Sequence, residues 1–187
     1  MIERTLVLVK PDGVVRALTG RIIARFEDAG LKPVAIKMVK PSKELAGRHY
    51  IDDPKWLEET GAKAIAAYKE KGVEVKDTPV QAAMRIRGYL MDFISSGPVV
   101  AMVLEGNDAI AVTRKITGAT EPKRADPSTI RGYFSTDSYG MADSRSRPLK
   151  NLIHASEDKA TADREISIWF MEAELVDYKR ADEAALY

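Results

Sequence analysis

Gly97-Pro98-Val99-Val100-Ala101-Met102-Val103-Leu104 is the stretch on which the fold turns. An unbroken apolar run of strand length, launched by a Gly-Pro break, suits a strand covered on both faces. Upstream, Thr5-Leu6-Val7-Leu8-Val9 is a second such run; it stops at Lys10-Pro11-Asp12-Gly13, where Pro-Asp-Gly signals a turn. Pro33 to Val39 alternates Val34, Ile36 and Met38 against Ala35, Lys37 and Val39, the pattern of a half-buried strand. Asn151-Leu152-Ile153-His154 supplies one more short strand.

Helical patterns fill the spaces between these strands. Thr19 offers an N-cap ahead of the apolar face Ile22, Ile23 and Phe26, and Gly30 is the natural terminator. Pro41-Ser42 opens a short helical stretch carrying Leu45 and Tyr50. Trp56 to Lys71 reads as a solvated helix with Leu57, Ile65 and Tyr68 as sparse anchors; after a polar break, Val80 to Ile94 resumes the helical pattern. Asn107 can cap a helix running to about Thr117, Gly118 to Asp143 is mostly loop chemistry, and Thr161 to Met171 is amphipathic. The order β-α-β-(helices)-β-α-β predicts an α/β (α+β) fold: a ferredoxin-like sandwich with a four-stranded antiparallel sheet and extra inserted helices.

Length and composition bound the chemistry. A chain of 187 residues suits a single domain spanning 1–187. Scaling predicts that roughly 70% of the unfolded surface is buried, so no covalent staple is required. There is no cysteine, which excludes a disulfide framework, a thiolate metal site and a thiol nucleophile. Lys+Arg 29 against Asp+Glu 28 gives a net charge of +1, without the basic excess of a dedicated nucleic-acid domain. No apolar run is long enough to span a membrane, and Met1-Ile2-Glu3-Arg4 is no signal peptide, so a cytoplasmic protein without membrane association is expected.

Phosphate-friendly residues follow the strands. Lys10 directly follows the first, Arg114 lies on the helix after the third, and Thr120, Arg131 and His154 complete the set. Lysine offers a point charge and arginine a planar fork, so their convergence would clamp a polyphosphate. Neither a Gly-x-x-x-x-Gly-Lys loop nor Gly-x-Gly-x-x-Gly is present, so such a site would use side chains. His154, with Glu165 downstream, reads either as a hydrogen-bonded histidine at a strand end or as a nucleophile oriented by a carboxylate. His49 reads as an ordinary helix-terminal residue.

Several ordered motifs resemble the nucleoside diphosphate kinases. Leu6-Val7-Leu8-Val9-Lys10-Pro11-Asp12-Gly13-Val14 is similar to the family's first strand and turn, and His49-Tyr50 to its histidine-tyrosine segment. Ser96-Gly97-Pro98-Val99-Val100-Ala101-Met102-Val103 resembles its central strand, and Thr129-Ile130-Arg131-Gly132 its arginine loop. Asn151-Leu152-Ile153-His154-Ala155-Ser156-Glu157 resembles the active-site motif Asn-x-x-His-Gly-Ser-Asp. The match continues through Glu165 to Phe170 and Glu174 to Tyr178.

The resemblance implies a ping-pong kinase that passes the γ-phosphoryl group of ATP to a nucleoside diphosphate through a phosphohistidine at the δ nitrogen of His154. It implies a catalytic group of His154, Glu165, Lys10 and Tyr50, with Ser156 behind it. For the nucleotide it implies Lys10, Arg114, Thr120, Arg131 and Asn151, with Arg87 and Met91 at the positions of the base clamp and Tyr89 as the alternative to Arg87. Mg²⁺ held mainly by the nucleotide phosphates, nucleoside triphosphate and diphosphate substrates, and a homo-hexamer or homo-tetramer follow from the same resemblance.

Three departures stand out. Ala155 replaces a glycine, which matters if φ is positive there. Extra residues fall at about 53–81 and about 135–145, lengthening the chain as in some archaeal members. The competing readings are a catalytically weak nucleotide-binding or regulatory module on the same fold, against which the retained His154 argues, and a nucleic-acid-binding sheet, for which the strands carry almost no aromatics.

Overall fold

β1 (Ile2–Val9) and β3 (Val99–Asn107) form the centre of an antiparallel sheet, flanked by β2 (Lys32–Val39) and β4 (Ile153–Ala155) in the order β2-β3-β1-β4. This is the ferredoxin-like arrangement expected from the element order. The computed structural model describes residues 1–70 and 72–186; Lys71, the expected end of the solvated helix, and Tyr187 lie outside the described residues.

Period-two alternation divides the core between the two faces of the sheet. Val7, Val9, Val100, Met102, Leu104 and Ile153 pack on one face with Ile22 and Phe26 of α2 (Thr19–Glu27) and Ile130 of α7 (Ile130–Phe134). Leu6, Leu8, Val99, Ala101 and Val103 pack on the other against α3 (Lys43–His49), α5 (Pro79–Ser95) and α9 (Lys159–Trp169). Each fully buried Leu or Phe contributes about 1.5–3 kcal/mol. Helices on both faces explain why β1 and β3 read as continuous apolar runs.

Local chemistry departs from the expected boundaries at identifiable residues. Pro11-Asp12-Gly13 opens a short helix, α1 (Pro11–Val15), because Pro11 presets the first helical φ and the Lys10 carbonyl accepts from Gly13 and Val14. Thr19 is the first residue of α2 and makes no capping bond; Leu18 occupies the cap position. Asn107 ends β3, and Asp108, at φ 48°, starts α6 (Ala109–Thr117). The stretch 118–143 contains a 3₁₀ turn at Pro122–Arg124, α7 and most of α8 (Tyr139–Ser144), the last two capped by the side chains of Thr129 and Ser138. On β2 the edge position leaves Ile36 and Met38 exposed.

The residues after Tyr50 include α4 (Pro54–Glu70), which packs against α5. Thr78 and Gln81 start α5 with a reciprocal capping box, setting where the pair turns.

Candidate active site

Sheet register determines where His154 points. It lies opposite Leu8 on β1, so its ring shares the face covered by α3 and α9, while Ile153 beside it faces the other core. Glu165 of α9 is buried there, with Oε2 2.8 Å from His154 Nε2 and 2.6 Å from the Ser156 hydroxyl that donates to it. Burial alone would raise the Glu165 pKa, but the charge and hydrogen bond of His154, with His49 and Ser156, lower it to about 2. The ionised carboxylate therefore accepts from Nε2–H, which leaves the lone pair of His154 on Nδ1. No described residue hydrogen-bonds that atom.

The strand also explains the glycine-to-alanine change. Ala155 is the last residue of β4 and has no positive φ, so an alanine fits without strain. The strain sits two residues earlier than His154: Leu152 has φ 69°, with Ile153 N–H donating across it to the Asn151 carbonyl at 2.8 Å. A bulky residue in that γ-turn costs on the order of 1–3 kcal/mol. It is held by the Asp12 carboxylate, which accepts from Leu152 N–H at 3.0 Å, and by Lys10 N–H donating to the Leu152 carbonyl at 2.8 Å. The second Asp12 oxygen is buried without a partner.

The cationic residues converge beside this turn. Lys10 Nζ donates to Asn151 Oδ1 at 2.8 Å, and Asn151 Nδ2 to the Thr120 carbonyl at 3.0 Å. Arg131 donates to the carbonyls of Asn151, Gly118 and Ile153 at 3.2, 3.0 and 2.8 Å. Gly118 is required here: at φ 84° an added Cβ would fall 2.3 Å from Thr129 Oγ1. Burial and the neighbouring Arg131 lower the Lys10 pKa to about 8, with Asp12 opposing; burial and Arg114 lower that of Arg131 to about 10. Arg114 and Thr120 are exposed at the rim. The charge of Arg114 thus acts on Arg131 and that of Arg131 on Lys10, a repulsion that a bound polyanion relieves.

Several placements differ from a simple sequence reading. His49 is no ordinary helix end. It is buried against His154, ring centroids 4.5 Å apart, and its Nδ1 accepts from Trp169 Nε1 at 3.3 Å. Burial, then the charge of His154, keep it neutral well below pH 6.5. Tyr50 stacks edge-on against His49 at 4.6 Å, so ring contacts run Tyr50–His49–His154; burial and Glu165 raise its phenol pKa. The signals for these partners were the His49-Tyr50 dipeptide and Trp169, one helical turn beyond Glu165.

Arg87 and Met91 are not brought to the catalytic pair. Arg87 donates to the carbonyls of Tyr50 at 2.5 Å and Gly47 at 3.2 Å, capping the C-terminus of α3, and Met91 lies against Gly47. Tyr89 is exposed on α5.

Among the described residues, His49, His154 and Glu165 form one cluster of metal-ligand composition. Two imidazoles suit a softer ion than Mg²⁺, and the carboxylate is engaged by His154 and Ser156. The groups facing the phosphate region are cations, a donor set that fits an ion carried by the phosphates rather than by the chain.

Comparison with known proteins gives a consistent result. The family model described as nucleoside diphosphate kinase matches residues 3–57 and 81–175. A nucleoside diphosphate kinase from Pyrobaculum aerophilum is 45% identical over 181 residues, covering 94% of this chain and 99% of that protein. The crystal structure of an NDP kinase from Pyrobaculum aerophilum superposes with a TM-score of 0.92 at 43% identity, over 95% of this chain and 100% of that one. A transition state mimic of the nucleoside-diphosphate kinase from Borrelia burgdorferi, with bound vanadate and ADP, gives 0.81 at 40% identity over 100% and 97%.

Proposed function

The chain belongs to the nucleoside diphosphate kinase family and is a phosphotransferase acting between nucleotides, and we propose that His154 is the residue that carries the phosphoryl group. The observation that carries this reading is the pairing of His154 Nε2 with a buried, ionised Glu165 at 2.8 Å, beside the cations Lys10, Arg131 and Arg114.

In the first half-reaction the Nδ1 lone pair attacks the γ-phosphorus in line. The bond from that phosphorus to the β-bridging oxygen breaks, and the nucleoside diphosphate leaves with the electron pair. The imidazolium formed is stabilised by Glu165 through Nε2–H. In the second, a terminal oxygen of a different diphosphate attacks the phosphohistidine and regenerates the neutral ring. Such transfers depend chiefly on positioning and charge neutralisation. Lys10 and Arg131 neutralise the transferring phosphate, Arg114 and Thr120 meet the outer phosphates, and Asn151 and Lys10 hold the sugar. Arg87 and Met91 line the base side on α5. When bound, Mg²⁺ supplies charge neutralisation and geometry for the phosphates, which hold it with water.

The same reading covers the rest of the chain. It is one domain in which the segments at about 53–81 and about 135–145 are insertions; the family model leaves 58–80 unmatched, which supports the first. It is cytoplasmic: among the described residues no helix is long and apolar enough to cross a membrane, which is consistent with that placement. It assembles as a homo-hexamer or homo-tetramer, for which the exposed Ile36 and Met38 on edge strand β2 offer a surface. The regulatory-module alternative finds no support. The test is steady-state transfer from ATP to UDP: parallel double-reciprocal lines support a phosphoenzyme, and intersecting lines contradict it.

A further inference from the structure

Three residues grip the turn through Leu152, and the transfer described above uses only two of them. Lys10 N–H donates to the Leu152 carbonyl at 2.8 Å, and Arg131 donates to the carbonyls on either side, Asn151 at 3.2 Å and Ile153 at 2.8 Å. The third is Asp12 in the first turn of α1, whose Oδ2 accepts from Leu152 N–H at 3.0 Å. Asp12 is 6% exposed, yet its Oδ1 has no hydrogen-bond partner. A buried carboxylate oxygen without a donor is costly unless positive charge stands close by. Here it does: the charge of Asp12 acts on Lys10, Arg131 and Arg147. Arg147 is already paired with Asp137 through two hydrogen bonds, at 2.7 and 2.8 Å. Lys10 and Arg131 have no such partner among the described residues. Lys10 Nζ donates to the neutral Asn151 Oδ1 at 2.8 Å, and Arg131 donates to backbone carbonyls.

The geometry points to Asp12 as a positioning residue of the transfer reaction: one carboxylate oxygen fixes the turn that sets Asn151 and leads into His154, and its negative charge balances Lys10 and Arg131 where the phosphates bind. The inference rests on the reading of Lys10 and His154 as the reacting site. The two contributions are separable. Leu152 is strained at φ 69°, so a turn that loses the acceptor for its N–H relaxes and takes Asn151 and His154 with it. The charge acts elsewhere. Around Lys10 the titratable groups are Asp12 of α1, Arg131 of α7 and His49 of α3. Arg131 opposes the charge on Lys10 and His49 is neutral, which leaves Asp12 as the group that favours it. Arg16, Asp137, Arg147 and Lys150 line a cavity together with Asp12; Arg147 and Asp137 satisfy one another there.

Two substitutions in the full-length enzyme test the two contributions separately. Asp12→Asn keeps an oxygen that can accept from Leu152 N–H and removes the charge. Relative to the wild type, its kcat/KM should fall roughly two- to threefold further at pH 8.5 than at pH 6.5, the loss of charged Lys10 expected when its pKa drops by about half a unit from about 8. Equal losses at the two pH values would overturn the charge contribution. Asp12→Ala also removes the acceptor. At pH 6.5 its kcat should lie about tenfold below that of Asp12→Asn, or about 1.4 kcal/mol. A kcat equal to that of Asp12→Asn would overturn the brace. If Asp12→Ala does not fold, the pH profile of Asp12→Asn still decides the proposal. Lys10→Arg, alone and combined with Asp12→Asn, is measured in parallel, because arginine stays charged over this range. The pH-dependent loss should vanish in the combined variant. Its persistence there would overturn both the proposal and the reading of Lys10. A wild-type downturn that Lys10→Arg removes and Asp12→Asn leaves in place would overturn the role of Asp12 alone.

Discussion

His154 Nε2 lies 2.8 Å from Glu165 Oε2, a strand residue and a helix residue joined across one face of the sheet. The carboxylate holds Nε2–H and so leaves the ring's lone pair on Nδ1, the atom proposed above as the nucleophile. Glu165→Gln keeps a hydrogen-bonding group but removes the charge that favours the imidazolium. Turnover should fall roughly 10- to 100-fold, the scale of one charge-assisted hydrogen bond at about 1.5–3 kcal/mol, with nucleotide affinity nearly unchanged. Steady-state kinetics with separate nucleotide-binding measurements check this; equal losses in both would count against an orienting role.

Lys10 should make nucleotide capture sensitive to mild alkali. Its folded pKa of about 8 lies below the ordinary 10.5, so the side chain loses its charge as pH rises through about 8. A bound phosphate favours the charged form and moves that loss to higher pH. The profile of kcat/KM, which reports the free enzyme, should therefore turn down near pH 8, and that of kcat at higher pH. Lys10→Arg should remove the downturn in kcat/KM; its persistence would assign the titration to another group.

His49 should make the fold acid-sensitive before any carboxylate does. Its folded pKa lies well below 6.5, so the unfolded chain takes up the proton first and stability falls as pH drops below 6.5. The expected loss is about 1 kcal/mol by pH 5.5. Thermal midpoints between pH 7.5 and 5 should decline in the wild type and stay flat in His49→Gln. Parallel declines would exclude His49 as the cause.

Much of the fold was legible because β1 and β3 are unbroken apolar runs and the helices alternate with them. Boundaries were less so. Thr19 lost its capping role because Leu18 already adopts helical angles, and Asp108 rather than Asn107 starts α6 through a left-handed turn. The site chemistry was carried by Lys10, Asn151 and His154, at or next to β1 and β4, and by Arg131 in the first turn of α7. What no spacing revealed was the face-sharing of His49, His154 and Trp169, because it depends on the β1–β4 register and on how α3 packs against α9. The Asp12 brace on the strained Leu152 was hidden for the same reason: the two residues are 140 positions apart.

The α4–α5 contact should be sensitive to a single added methyl group. Alanine is favoured over glycine in a helix by about 1 kcal/mol, but at Gly61 its Cβ would collide with the Pro79 backbone. The collision dominates, since backbone cannot rotate away and overpacking costs about 1–3 kcal/mol. Gly61→Ala should speed amide exchange through Pro54–Ser95 and leave kcat within about twofold. Exchange as slow as in the wild type would show that the contact is readily relieved.

The central claim is that His154 carries the phosphoryl group. Wild-type protein incubated with ATP labelled at the γ-phosphate should acquire an acid-labile, base-stable label that peptide mapping places on His154, and added GDP, UDP or CDP should remove it as the labelled triphosphate. His154→Ala should not label. A variant that labels as well as the wild type, or a label that does not chase onto a diphosphate, would contradict the account.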